Sequence, residues 1–230
     1  MPGGNARKQY VDNTYYHIYN RGVEKRVIFQ DAQDYGVFLG YLKQYLLPKD
    51  EEDMDKLLYD PNTSYKERGD LLRLFRLNNF ANEITLVAYC LMPNHFHFLV
   101  YQKNPDSIDK FMNSIATRYT QYFNKKYQRV GPLYQGVYKA VMVETDPQLL
   151  HLTRYIHKQA LATSGQAWMP NAMGQPCSYP EYIGGRKTDW VHPEEILKFF
   201  SKDNPKNSYE SFVAETDDLS YIGKLILEEY

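Results

Sequence analysis

Apolar and polar positions along the chain fall into two periods. Runs rich in aromatic and β-branched residues at Tyr15–Tyr19, Ile84–Cys90, His95–Tyr101 and Val137–Val143 predict four strands. In the third run Phe96, Phe98 and Val100 alternate with His95, His97 and Leu99, which places the two phenylalanines in one layer and the two histidines on the opposite face. A period near 3.6 predicts helices over Asp31–Leu46, Ser107–Lys126 and Asp146–Ala162. The second of these carries Ile108, Phe111, Met112, Ile115, Tyr119 and Tyr122 as its apolar face, and the third carries Leu149, Leu152, Ile156 and Ala160. Asp146-Pro147 is a start signal for that third helix, with Asp as N-cap and Pro in the first turn.

The resulting order, βαββαβ, predicts an α+β fold with a ferredoxin-like core, an antiparallel sheet covered by helices on one face. The lack of strict β/α alternation argues against a doubly wound sheet. The helix from Asp146 then adds to that core. Residues 47–79 interrupt it as an insertion, with the acidic run Asp50-Glu51-Glu52-Asp53 followed by the basic, helical-looking Leu71–Arg76. From about Thr163 the composition shifts to Gly, Pro and Ser, and helices are expected at His192–Phe200 and Tyr209–Glu229. The expected division is therefore a domain over 1–162 and a helical C-terminal appendage over 163–230.

Composition narrows the class. The 43% hydrophobic content fits a globular protein rather than a disordered one. No apolar run approaches the ~18 residues of a membrane span, and the polar N-terminus lacks a signal-peptide core, so a cytoplasmic protein is expected. Cys90 and Cys177 are too few for a disulfide framework or a zinc site. The net charge of −1 averages over unlike regions. Residues 101–160 hold nine Lys/Arg against four Asp/Glu, whereas residues 189–230 hold four against ten. Phosphate binding follows the local field, so the basic segment is the candidate nucleic-acid surface. Several of the 22 tyrosines interleave with its basic residues, a pattern suited to unpaired bases and their backbone; most tyrosines nonetheless serve packing.

Two clusters carry candidate chemistry. His95 and His97 lie about 7 Å apart along one strand face, within reach of a common divalent cation. On spacing alone, two ordinary polar residues on a half-exposed strand are an equally good reading. Tyr155 and Gln159 are i and i+4 on the last helix and so share a face, where a phenol and an amide oxygen supply a nucleophile and a third ligand. His17 reads by default as a core histidine, His151 as a surface one, and His157 as structural or solvent-facing.

Together, Leu91-Met92-Pro93-Asn94-His95-Phe96-His97 and helix-borne Tyr155 and Gln159 resemble the single-tyrosine transposases of the IS200-like class, whose signature is a histidine pair flanking a bulky hydrophobic residue, the HUH motif. The closest subgroup by resemblance is the REP-associated tyrosine transposases, domesticated relatives that act on palindromic repeats. Tyr16–Gly22 and Gly131–Gly136 add to the match, which covers residues 10 to 162 and extends loosely to Ser178–Tyr182. One departure stands out: that subgroup usually continues after the tyrosine with Asn-Pro, where this chain has Gln159-Ala160.

The resemblance implies a metal-dependent single-strand DNA endonuclease and transposase. Tyr155 is its nucleophile, forming a covalent 5′-phosphotyrosine, and His95, His97 and Gln159 hold Mg²⁺ or Mn²⁺. The implied partner is single-stranded DNA, palindromic or hairpin, with no membrane; the protein acts as monomer or homodimer. The alternative is a domesticated hairpin-binding protein that no longer transposes. Candidate DNA contacts are Arg21, Arg118, Lys125, Lys126, Tyr134, Gln135, Lys139 and Lys158.

Overall fold

A computed structural model describes residues 10–161, 175–216 and 219–226. Strands β1 (Thr14–Arg21), β2 (Ile84–Met92), β3 (His95–Gln102) and β4 (Lys139–Val143) form one antiparallel sheet in the order β2-β3-β1-β4. With helix α1 (Ala32–Leu46) before β2 and a long helix (Ser107–Lys126) before β4, this is the ferredoxin-like arrangement that the element order predicts. Between α1 and β2 the insertion forms α2 (Glu51–Tyr59) and α3 (Tyr65–Arg76); the long helix is therefore α4. The acidic run is the N-terminus of α2: the Asp50 carboxylate accepts from the Asp53 amide at 2.9 Å, and the remaining acids complement the helix dipole. Ser64 and Glu67 close a capping box at the start of α3.

One core lies between the sheet and α1 with α4. Phe38 and Leu42 of α1 and Phe111, Ile115 and Tyr119 of α4 pack on Ile18, Phe96, Phe98 and Val100. The opposite face is covered as well. Strand β2 is apolar on both sides, and its Ala88, Cys90 and Met92, with Leu99 of β3, require a second layer. Helix α5 (Asp146–Leu161) supplies it with Leu149, Leu152, Ile156 and Ala160, all buried as the periodicity predicts. Ala162, expected as its last residue, lies outside the described residues. The helix cap differs from expectation: the Thr145 hydroxyl accepts from the Gln148 amide at 3.3 Å, so Thr145 caps and Asp146 occupies the first turn.

The C-terminal segment completes this second core through Tyr182, Ile196, Tyr209, Val213, Ile222 and Leu225. Its first described helix is α6 (Tyr179–Tyr182), for which the sequence gives no expectation; α7 (Glu194–Leu197) and α8 (Tyr209–Ala214) are shorter than the sequence suggests, and a 3-10 turn follows at Leu219–Tyr221. The chain just past α8 is tied to α5. Arg154 donates to the Thr216 carbonyl and the Glu215 carboxylate, and Lys158 donates to the Glu215 carbonyl. Of the end expected for that helix, residues 227–230 lie outside the described residues. Cys90 and Cys177 are buried free thiols facing each other across a β-bridge, and burial pushes both thiols up.

His157 ties α5 to this segment. It is fully buried, with Nδ1 2.7 Å from the Tyr209 hydroxyl and Nε2 2.8 Å from the Ser178 hydroxyl. Burial lowers its pKa to about 3, against an ordinary value of 6.5. On acidification the unfolded chain therefore takes up this proton first. Stability is expected to be level above pH 6.5 and to fall progressively toward pH 3, by an amount on the order of a few kcal/mol, with His17 contributing in the same direction. Urea unfolding across that range measures it, and His157→Gln should flatten the acid limb. An unchanged slope in the variant would assign the acid loss to other groups.

Candidate active site

The register brings the candidate residues onto the α5 face of the sheet. His97 pairs with Tyr19 of β1 and Cys90 of β2, and His95 pairs with Arg21 and Met92. Lys139 of β4 lies opposite Tyr19 on the other side of β1. Cross-strand partners point to the same face, so His95, His97, Tyr19, Arg21 and Lys139 project toward α5.

Helix α5 crosses this patch and presents Tyr155, half-buried, to the histidines. The Tyr155 ring stands edge-on to His97 at 5.5 Å between centroids and to His17 at 6.4 Å. The His95 and His97 rings meet at 5.0 Å and 90°. Asn94 Oδ1 accepts from His95 Nδ1 at 2.6 Å, and Asn94 belongs to the same turn that joins β2 to β3. Gln159 is half-buried one helical turn beyond Tyr155, on the face the sequence predicts.

His17 is the residue that sequence reasoning undervalued. It is fully buried on β1, its Nε2 2.9 Å from His97 Nδ1 and its Nδ1 2.9 Å from the Leu225 carbonyl oxygen. Burial lowers its pKa to about 4 and holds His97 well below the usual imidazole range, where His17 and His95 add repulsion of the charged form. His97 Nε2 is buried with no hydrogen-bond partner. Tyr19, 4.9 Å from His17 and 5.8 Å from His97 between ring centroids, is a second residue missed. The period of two already put His17, Tyr19 and Arg21 on one face; what was missing was the pairing of that strand with β3.

The proposed DNA contacts separate into two groups. Arg21 and Gln135 lie together at the edge of the patch, with Nε and Nη2 of the arginine each 3.2 Å from the glutamine Oε1. Gly22 fixes this corner: its amide donates to the Asn94 carbonyl, and a Cβ there would meet the Arg26 carbonyl oxygen at 2.3 Å. Lys139 is exposed on the same face. Arg118, Lys125 and Lys126 sit on α4, which covers the opposite face, so the structure does not bring them to the histidines. Arg118 stacks over Tyr41, and Lys126 pairs with Asp31 and Asp34 at 2.7 Å. Tyr134, a candidate DNA contact by sequence, is only 8% exposed and packs against Phe96. Lys158 is turned toward Glu215. Local charge and loop position predict none of these engagements, because each partner lies far away in sequence.

Residues 64–159 match the family model of IS200-like transposases. That stretch contains His95, His97, Tyr155 and Gln159. The chain carries a segment similar to the IS200-like transposases. Among solved structures, one similar chain is a REP-associated tyrosine transposase bound to a REP hairpin, at 9% identity and TM-score 0.43, covering 83% of this chain and 98% of that one. Another is a candidate transposase from Deinococcus radiodurans R1, at 17% identity and TM-score 0.27, covering 69% of this chain and 97% of that one. No curated protein matches the chain. The IS200-like segment begins after β1, so His17, Tyr19 and Arg21 lie outside the matched stretch. Among the described residues no helix is long and apolar enough to cross a membrane.

Proposed function

We propose that the protein cleaves and rejoins single-stranded DNA at hairpins through a covalent phosphotyrosine at Tyr155. The observation that carries this reading is the convergence of Tyr155 on His97, from a helix and a strand that are remote in sequence. The family match supports transposase chemistry in general, and the site geometry supports this form of it.

A divalent metal fits the residues present. The buried, unpartnered Nε2 of His97 is an atom that costs free energy unless something meets it. Among the described residues no group of three or more His, Cys, Asp or Glu is placed to hold a metal, and the donor set of this proposal is His95, His97 and the Gln159 amide oxygen. That mixed N/O set suits Mn²⁺ or Mg²⁺. Such an ion, when bound, supplies Lewis-acid polarisation of the non-bridging phosphate oxygens.

The chain's own groups do the rest. The Tyr155 oxygen forms a bond to phosphorus, the bond from phosphorus to the 3′ oxygen breaks, and the phenolic proton is lost as the 3′ oxygen gains one. The phosphotyrosine keeps the energy of the phosphodiester, so an incoming 3′-hydroxyl reverses the step and joins strands. Arg21 and Lys139 flank the site as cations for the DNA backbone, and Gln135 holds the Arg21 guanidinium in place.

The test is incubation with labelled single-stranded hairpins from the gene's own flanks, with and without Mn²⁺. A denaturant-resistant protein–DNA adduct that needs the metal is expected. Tight hairpin binding with no adduct would replace this reading with a domesticated binding protein, and no binding would overturn the single-strand DNA assignment.

A further inference from the structure

Three groups stand in a line behind the site: the Leu225 carbonyl, the His17 ring and the His97 ring, joined by two contacts of 2.9 Å. The identity of each atom dictates where the protons sit. A carbonyl oxygen only accepts, so the proton facing Leu225 belongs to His17 Nδ1. Both rings are buried and neither meets a carboxylate, so both are neutral, and a neutral ring has a single N–H. His17 Nε2 is therefore a lone pair, and the proton between the rings belongs to His97 Nδ1. His97 Nε2 is then left as a lone pair, and it is the atom that is buried without a hydrogen-bond partner. The two rings are nearly parallel, 17° apart, with centroids at 5.1 Å, so the contact also fixes the rotation of His97.

We infer that His17, anchored on the Leu225 carbonyl, is a positioning residue that holds His97 in its Nδ1–H tautomer and aims the Nε2 lone pair into the site. The metal-binding consequence rests on the function proposed above; the tautomer does not. Outer partners of this kind commonly set ring orientation and ligand basicity. The chain of contacts also gives the C-terminal segment a part in the chemistry. Leu225 lies outside the IS200-like segment, as does His17, so the residues that set the ligand tautomer come from both ends of the chain around it.

Long-range ¹H–¹⁵N NMR of the metal-free protein reads the tautomers directly. Both His17 and His97 are expected as Nδ1–H forms, and His97 in its Nε2–H form would overturn the inference. In His17→Phe, which keeps an apolar ring in the core but removes both hydrogen bonds, His97 is expected to lose its tautomer preference. Mn²⁺ affinity, by titration calorimetry, should fall about 10- to 100-fold. In His17→Gln the amide oxygen can still accept from His97 Nδ1, and most of the Nδ1–H preference should return. Thermal melts check that the variants fold. Retention of the Nδ1–H form in both variants would show that His17 does not set it. If the parent binds no Mn²⁺ yet shows the expected tautomers, the relay stands and the metal-dependent function is what fails.

Discussion

Tyr155→Phe is expected to remove the covalent protein–DNA adduct, lowering its formation at least about a thousandfold, while hairpin affinity stays within a factor of about three. The substitution deletes one oxygen and leaves the ring that stands edge-on to His97 and His17. In the function proposed, binding depends instead on backbone contacts along the DNA made by other residues. Denaturing gels with an end-labelled hairpin separate the two effects, because adduct and non-covalent complex are read in different assays. Persistence of the adduct in the Phe variant would place the nucleophile elsewhere. Loss of binding together with the adduct would mean that the hydroxyl holds the substrate, and the assignment of Tyr155 as nucleophile would lose its support.

The second large effect concerns stability. Phe38→Ala should destabilise the protein by about 3–5 kcal/mol, a large share of the roughly 5–15 kcal/mol available to an ordinary domain. Phe38 is fully buried at the centre of the first core, its ring 5.2 Å from Phe29, 4.9 Å from Tyr119, 5.8 Å from Phe96 and 6.1 Å from Phe98. Truncation removes the atoms that all four rings pack against, and rings fixed on a strand, a helix and a loop cannot collapse together into the gap. For a chain of this length the melting temperature should drop by about 10 °C. A loss below about 1 kcal/mol would show that this face relaxes freely. Phe96 and Phe98 carry His95 and His97 on the reverse of the same strand, so the packing that Phe38 completes also fixes the backbone on which the site is built.

The sequence by itself determined the elements and their faces. Alternation along His95–Val100 placed the histidines opposite Phe96 and Phe98, because a strand repeats every two residues whatever it pairs with. The spacing of Leu149, Leu152, Ile156 and Ala160 gave α5 its buried stripe and put Tyr155 and Gln159 on one face, for the same local reason. The βαββαβ order limited the sheet to few topologies, and the observed one is among them. Only the tertiary structure decided which residues share the site. The pairing of β1 with β3 sets Tyr19 beside His97 and Arg21 beside His95, and a shift of one residue would have turned all of them away. It also took the basic residues of α4 to the far side of the sheet, turned Tyr134 inward, and tied the chain just past α8 to α5 through the carbonyls of Glu215 and Thr216. The Leu225–His17–His97 line depends on contacts across 208 and 80 residues. Periodicity is a property of neighbours along the chain, and such contacts exist only once two distant segments have been brought together by burying the surfaces that each presents.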